Sequence, residues 1–244
     1  MENLRELLYQ KGASLVGLGK VDGLYATDEA AELDMTDMSN EEWIIPHYPV
    51  GISIAIAIPK EVIKGIANRP TMDYYHTYHE LNKRLDFLAE YCEGYLRNLG
   101  YQAYAQTTSK VKEYGCYKTA MPHKTVSVAS GLGWIGKSAL LVTKEFGSAV
   151  RLTSVLTDAP LVCNDEIYDT PCRNCDLCKN ACPGKAITGN VWDSKKDRAW
   201  IFDALACRTQ ARKIAFEELG KEITLCGKCI EVCPYTQRYL NSNE

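Results

Sequence analysis

Apolar residues recur at steps of three and four along residues 72–100, the spacing that places them on one face of an α-helix. The apolar stripe comprises Tyr74, Tyr78, Leu81, Leu85, Leu88, Cys92, Tyr95 and Leu99. Gly100 follows at the position of a helix C-cap. A helix of this length is about 40 Å long. The pattern predicts a core helix whose apolar stripe is buried in protein rather than against a cofactor.

Shorter apolar segments predict the other elements of an α/β domain. A helix is predicted over NLRELLYQKG, and strands over ASLVGLG, GISIAIAI, YQAYAQ and AVRLTSVLT. The acidic stretch over residues 28–42 indicates a solvated loop or short helix. After about residue 160 the chain becomes rich in cysteine and loops. We therefore predict an α/β domain over residues 1–160 and a second domain over residues 161–244.

The composition is typical of a globular protein and does not favour nucleic acid as a partner. The 244 residues are 46% hydrophobic and 24% charged, with a net charge of −3. No apolar run approaches the roughly 18 residues of a membrane span, and the N-terminus does not resemble a signal peptide. Nine of the 11 cysteines follow residue 160, an uneven distribution that does not favour disulfide cross-links. These features predict a cytoplasmic protein.

Two cysteine runs carry the chemistry of the chain. The first, CRNCDLCKNACP, has the spacing C-x2-C-x2-C-x3-C-P of bacterial iron–sulfur proteins. The second, CGKCIEVCP, has three cysteines, and a single cysteine lies between the runs. In the bacterial pattern the fourth cysteine of a run binds the other cluster. The first predicted [4Fe–4S] cluster is bound by Cys172, Cys175, Cys178 and Cys233, and the second by Cys182, Cys207, Cys226 and Cys229.

Zinc is the alternative for these cysteines, because two tetrahedral zinc sites also use eight thiolates. Three cysteines at successive three-residue steps favour a cluster, since zinc sites usually take their cysteines in pairs. Three further cysteines are left over. Cys92 lies on the apolar stripe and is expected to be inert, whereas the roles of Cys116 and Cys163 stay open.

Residues 122–158 contain the segment GLGWIGK-x-x-LL and precede the two cysteine runs. Together with the single cysteine between the runs, and with the helix DYYHTYHELNKRLDFLAEYC, they resemble epoxyqueuosine reductase and, more distantly, the respiratory reductive dehalogenases. The resemblance covers roughly residues 70–240. It implies a nitroreductase-like α/β domain that binds cobalamin, followed by a ferredoxin-like domain with two [4Fe–4S] clusters. Electrons would pass through the clusters to cobalt.

The glycine-rich segment is where this resemblance implies contact with the corrinoid. Its glycines permit close backbone approach, and its lysine suits an anionic group. The cofactor-binding residues expected here are Gly131, Leu132, Gly133, Trp134, Gly136 and Lys137. A structural strand-to-helix turn is the alternative, and a nicotinamide or flavin site is a minor one, because GLGWIG fits G-x-G-x-x-G. The chain lacks the D-x-H-x-x-G run that supplies a histidine to cobalt in many corrinoid proteins.

The chain departs from the family at the expected proton donor. The family has an aspartate shortly before the GLGW segment, but no aspartate occurs in QTTSKVKEYGCYKTAMPHKTVSVAS. The available acids are Tyr114, Tyr117, Lys118 and His123. His123 titrates nearest neutrality and is the first choice, although a structural histidine is an equal alternative. Tyr117 with Lys118 is the second choice.

A further departure concerns the partner. Family members carry a C-terminal helical-repeat region that binds tRNA, and this sequence ends soon after the second cysteine run. With the acidic composition, tRNA is therefore not the expected partner. The leading hypothesis is a corrinoid-containing oxidoreductase that reduces a small molecule or another corrinoid, with ferredoxin or flavodoxin as electron donor. The alternatives are an electron-transfer protein without a substrate site, and epoxyqueuosine reduction on tRNA.

Overall fold

A computed structural model of the chain describes residues 2–24, 45–113, 117–167 and 169–242. By contacts the chain forms two compact units, each assembled from three segments. The sheet unit comprises residues 1–56, 82–132 and 152–167, and the cysteine unit comprises residues 57–81, 133–151 and 168–244. The division into functional domains at about residue 160 stays a prediction. The acidic stretch, Tyr114 and Cys116 lie outside the described residues.

The described elements follow in chain order. The helices are α1 Glu2–Gln10, α2 Lys60–Gly65, α3 Met72–Asn98, α4 His123–Ala129, α5 Leu177–Ala181, α6 Ala204–Leu219, α7 Lys228–Glu231 and α8 Pro234–Asn241. The strands are β1 Leu15–Lys20, β2 Val50–Ala57, β3 Ala103–Ala105, β4 Trp134–Ile135, β5 Leu141–Val142 and β6 Val150–Thr157. No described helix is long and apolar enough to cross a membrane.

A four-stranded sheet in the order β1-β2-β6-β3 organises the sheet unit. Strands β1 and β2 pair antiparallel, with Leu15 opposite Ala55, and β3 pairs antiparallel with β6. The inner strand β2 is buried along almost its whole length, and apolar residues predominate in its sequence. The four strands predicted from the sequence are confirmed.

Helix α4 packs closely on the first two strands because glycines there leave space for it. A Cβ atom at Gly17 would lie 2.6 Å from the carbonyl oxygen of Ser130, and one at Gly51 would lie 2.6 Å from a methyl group of Val126. The hydroxyls of Ser53 and Ser127 share a hydrogen bond of 2.8 Å across this contact. The close packing fixes the start of α4, whose first residue is His123.

The long helix predicted from the apolar stripe is confirmed as α3, and Gly100 follows it with a φ of 89°. The buried members of the stripe are Tyr74, Leu81, Leu85, Leu88 and Cys92. The assignment of Leu99 to the stripe is wrong, because its side chain is 51% exposed. The helix ends one residue earlier, so Leu99 leaves the helical spacing and Leu96 is buried at that end instead.

The glycine-rich segment continues into a β-hairpin of the cysteine unit. The interpretation of this segment as a strand-to-helix turn is therefore wrong. The segment follows helix α4, and β4 pairs antiparallel with β5. The backbone N–H of Gly136 donates to the carbonyl oxygen of Leu140 at 2.9 Å and closes the turn. Ala139 has a left-handed backbone with a φ of 57°.

Candidate metal centre

The predicted ligands of the first cluster influence one another electrostatically. Burial raises the pKa of the Cys178 thiol to about 11, and negative charge on Cys172, Cys175 and Cys233 adds to the shift. Cys233 is distant in sequence from the other three. The fold therefore brings the fourth cysteine of the second run to the first group, as the crossing pattern predicts.

The second group contains the cysteine that lies between the runs. Burial raises the pKa of the Cys207 thiol to about 11, and negative charge on Cys182 and Cys226 adds smaller increases to this pKa. Burial also raises the pKa of Cys229, with Cys226, Cys207, Cys178 and Cys182 as further causes. Cys229 thus interacts with its own group and with Cys178 of the other, so the two groups lie within electrostatic reach of each other.

Short helices and turns place these thiols. Cys178 lies on α5, and Cys182 caps the C-terminal end of that helix. Cys207 lies in the first turn of α6, whose start is capped by the Asp203 carboxylate accepting a hydrogen bond from the backbone of Ala206 at 2.9 Å. Cys233 precedes α8, which begins at Pro234, so the proline ends one loop and starts the next helix.

The loop between Cys226 and Cys229 needs a glycine. Gly227 has a left-handed φ of 79°, and a Cβ atom there would lie 2.9 Å from the Tyr74 ring and would collide with Ile66. The Lys228 ammonium donates a hydrogen bond of 2.5 Å to the carbonyl oxygen of Ala67. Residues between positions 66 and 74 therefore support the second cysteine run within the cysteine unit.

The donor set fits iron–sulfur clusters. The ten described cysteines are all free of disulfides. Burial first, and then the neighbouring thiolates, raise the pKa values of Cys178 and Cys207, and a bound cation such as iron offsets both effects. Within the described ranges, no three His, Cys, Asp or Glu side chains converge to hold a single ion. A cubane does not require such convergence, because each thiolate binds a different iron.

The glycines expected to contact the corrinoid are in contact with the chain itself. A Cβ atom at Gly133 would collide with the carbonyl oxygen of Val142, and one at Gly136 would lie 3.6 Å from the sulfur of Cys172. Gly131 has a φ of 72° and faces the carbonyl oxygen of Asp165. The neighbouring Leu132 belongs to the sheet unit, where its backbone N–H donates to Ser127. Protein packing alone therefore requires these glycines.

Two further side chains of this segment are buried in the cysteine unit. The Lys137 ammonium donates a hydrogen bond of 2.9 Å to Asp176, which lies between Cys175 and Cys178. This hydrogen bond is the main reason that the pKa of the Asp176 carboxyl is lowered. Trp134 is 2% exposed, and its indole Nε1 has no hydrogen-bond partner within the described part of the chain. Its ring meets that of Tyr235 edge to face, with centroids 4.8 Å apart.

The expected proton donor His123 lies in a polar group of the sheet unit. Its Nδ1 is 2.8 Å from the hydroxyl of Ser154, which also accepts a hydrogen bond of 2.7 Å from the Gln106 amide. The sequence prediction missed Ser154 and Gln106, although Ser154 is a buried polar residue of strand β6. Tyr117 and Lys118 are half-buried in the same unit, and Tyr117 has a left-handed φ of 61°.

Cys92 and Cys163, which are not among the predicted cluster ligands, both lie in the sheet unit. Cys92 is buried on α3, as expected. The Cys163 thiol contacts the carbonyl oxygen of Leu161 at 3.6 Å, and its role stays open.

Gln106 and Met121 line a cavity of about 20 Å³ in the sheet unit, which is enough for about one water molecule.

Comparison with known proteins first defines the class. Residues 171–236 match the 4Fe–4S double cluster binding domain, so the chain is a double-cluster iron–sulfur protein. The chain is also 30% identical over 201 residues to the epoxyqueuosine reductase of Lactococcus garvieae (strain Lg2), matching 76% of this chain and 51% of that protein. The chain is similar to epoxyqueuosine reductase over these 201 residues, and the resemblance drawn from its sequence is confirmed. It spans about half the length of this relative.

Solved structures share the fold. A reductive dehalogenase structure, described as suggesting a mechanism for B12-dependent dehalogenation, matches 96% of this chain and 31% of that chain with a TM-score of 0.72 and 20% identity. An epoxyqueuosine reductase with a tRNA-Tyr epoxyqueuosine-modified stem loop matches 97% of this chain and 65% of that chain, with a TM-score of 0.62 and 18% identity. The mixed α/β fold predicted from the sequence is therefore confirmed at this level.

Proposed function

We propose that this chain is an iron–sulfur reductase that passes single electrons through two [4Fe–4S] clusters to a bound cobalamin. The observation that carries the proposal is the arrangement of eight thiols in two groups, which influence each other through Cys178 and Cys229. Two clusters within electrostatic reach of each other are suited to electron transfer. When bound, a corrinoid supplies the two-electron chemistry that the clusters lack.

The corrinoid part of the proposal is supported by the relatives. A solved reductive dehalogenase with the same fold is described in terms of B12-dependent dehalogenation. We keep Gly131, Leu132, Gly133, Trp134, Gly136 and Lys137 as the proposed corrinoid-binding residues, in a nitroreductase-like domain. The segment that contains them also touches the loop of the first cluster at Cys172, which supports the first cluster as the electron donor to the corrinoid.

His123 is the proposed proton donor. Because the Gln106 amide donates to the Ser154 hydroxyl, that hydroxyl is free to donate its own hydrogen to Nδ1 of His123. With Ser154 as the donor to Nδ1, the proton of the neutral imidazole lies on Nε2. Tyr117 with Lys118 is the second proposed donor, and the strained backbone of Tyr117 supports a functional role there.

Electrons are proposed to enter at the second cluster from ferredoxin or flavodoxin in the cytoplasm. A cleft of about 440 Å³ lies beside the ligands Cys182 and Cys207. Its lining residues are Pro183, Gly184, Lys185, Asp203, Leu205, Ala206, Thr209 and Gln210. Residues 179–213 contain eight basic and three acidic side chains, although the whole chain has a net charge of −3. This local positive charge suits an acidic redox protein.

Two substrate classes follow from different observations. The negative net charge supports a small molecule or another corrinoid rather than RNA. The relatedness to epoxyqueuosine reductase supports epoxyqueuosine in tRNA as the second candidate. The chain spans about half of that relative. An assay with each substrate separates the two candidates.

Anaerobic reconstitution with iron, sulfide and cob(II)alamin tests the proposed function. We expect two clusters per chain, retention of cobalamin after gel filtration, and a paramagnetic resonance signal of bound Co(II) that disappears on reduction. Protein that holds both clusters but retains no cobalamin would support an electron carrier instead. Turnover of modified tRNA, compared with turnover of free corrinoid and small-molecule acceptors, then identifies the substrate class.

A further inference from the structure

Trp134 contains a hydrogen-bond donor that the protein does not use. The side chain is 2% exposed, and its Nε1–H has no partner among the described residues. Burying an N–H group without an acceptor is unfavourable, so native proteins rarely leave one unpaired. The short strand β4 fixes the position of the indole by pairing Trp134 with Val142. An acceptor that binds to the folded protein would remove the cost.

The surroundings of Trp134 identify the acceptor. Its ring packs against Tyr235, two residues after Cys233. In the same hairpin, Gly136 lies against Cys172, where a Cβ atom would be 3.6 Å from the sulfur. Lys137 binds Asp176, which lies between Cys175 and Cys178. Residues 133–142 therefore touch every loop that supplies a cysteine to the first group.

The turn after the hairpin makes a further contact with the same region. The backbone N–H of Ser148 donates to the hydroxyl of Thr236 at 3.1 Å, and a Cβ atom at Gly147 would collide with Thr236. Thr236 is fully buried and follows Cys233 by three residues. The segment 133–148 is thus held at two places against the first turn of α8, which directly follows Cys233.

We infer that the hairpin over residues 133–142 forms one side of the first cluster site, and that Nε1–H of Trp134 donates a hydrogen bond to a sulfur of that cluster. Cluster and cysteine sulfurs are acceptors, so they match the chemistry of an indole N–H. Reduction adds negative charge to the cluster, and a donated hydrogen bond stabilises the reduced form. Trp134 is thereby a positioning residue that raises the reduction potential. The inference rests on the proposed cluster ligands and not on cobalamin.

The test is an anaerobic redox titration of W134F, followed by paramagnetic resonance of both clusters. Phenylalanine keeps an aromatic ring but removes the N–H. We expect the reduction equilibrium of the first cluster to fall about tenfold, equal to about 59 mV for one electron, while the second cluster is unchanged. W200F is the matched control, because the Trp200 indole already donates to the carbonyl oxygen of Val191. An unshifted first cluster in W134F would overturn the inference.

A second measurement does not depend on the folding of a variant. Wild-type protein labelled with indole-¹⁵N tryptophan is reduced, and the hyperfine coupling between ¹⁵N and the cluster spin is recorded. We expect one coupled nitrogen. Absence of coupling would overturn the inference, and would favour an N–H directed at the Tyr235 ring. Coupling in a protein that retains no cobalamin supports the inference while removing the corrinoid part of the proposed function.

Discussion

The ammonium of Lys137 and the carboxylate of Asp176 form a hydrogen-bonded ion pair of 2.9 Å between partners of unequal exposure. The Lys137 side chain is 5% exposed, whereas that of Asp176 is 46% exposed. The pair joins the hairpin of residues 133–142 to the loop between two cysteines of the first group. The buried partner is the cation, and the more exposed carboxylate of Asp176 is its counter-charge.

This asymmetry predicts the order of stability among three variants. D176N should destabilise the cysteine unit more than K137M, because it leaves a buried ammonium without its counter-charge. K137M leaves only a carboxylate that water can solvate. Anaerobic urea unfolding, followed by loss of the visible cluster absorption, measures the order. The double variant K137M/D176N should be close to K137M, and a double variant as unstable as D176N would contradict the argument.

The cluster ligands predict a crossed pattern of loss. C233A should remove the first cluster, as C172A does, although Cys233 lies in the second cysteine run. C207A should remove the second cluster, as C229A does. Each variant should retain about half of the iron, because each group binds its own cluster. The measurement is iron content together with the resonance spectrum of the remaining cluster, and C163A is the control that should retain both.

The position of His123 predicts a role in proton transfer that is separable from electron transfer. H123Q should lower kcat by about 10²- to 10⁴-fold, the usual contribution of a general acid, without changing cluster content. H79Q is the matched control, because His79 is an exposed residue of α3. Single-turnover reduction of cobalamin should be unaffected in both. Equal activity of H123Q and H79Q would transfer the role to Tyr117 and Lys118.

Ser154 should matter for stability as well as for His123. The S154A change removes the hydroxyl that accepts from the Gln106 amide and contacts Nδ1 of His123. Leaving buried polar groups unpaired costs about 1–3 kcal/mol of unfolding free energy. The measurement is urea unfolding of S154A beside T108A, a change on an exposed hydroxyl bonded to Asp86. If His123 acts in catalysis, the pH profile of kcat should also shift in S154A.

The basic surface beside the second cluster predicts salt-sensitive electron entry. K185E places a negative charge in the cleft, and should slow reduction by an acidic flavodoxin several-fold at low ionic strength. The difference from wild type should shrink at high salt, because exposed charges are screened. K83E on α3 is the control in the sheet unit. Reduction by dithionite, a small reagent that needs no docking, should be equal in all three proteins.

Cys92 predicts a loss of stability at high pH. Burial raises the pKa of this thiol from its ordinary value of 9.0 to about 12. The folded state therefore holds the proton where the unfolded state releases it. The stabilisation is complete below about pH 9 and decreases as the pH rises toward 12, by about 1.4 kcal/mol per unit at most. Urea unfolding between pH 8 and 10 should show a shallower decline for C92A than for wild type.

The metal chemistry could be predicted from the sequence because it depends on the local spacing of cysteines. Three cysteines at three-residue steps lie in one loop, so their spacing alone indicates a cluster. The apolar stripe of α3 was equally readable, because neighbours on a helix face are three or four residues apart. The prediction that Leu99 belongs to the stripe is wrong because the helix ends at Asn98. Helix ends are set by capping rather than by periodicity.

Only the tertiary structure shows which segments these helices, strands and loops contact. The spacing of GLGWIGK is compatible with several turns, and the pairing of Trp134 with Val142 made it a hairpin. The contact of Ser154 with His123 and the support of the Cys226–Cys229 loop by Tyr74 both join residues that are distant in sequence. Such contacts depend on how separate segments pack together, and that packing leaves no periodic signal along the chain.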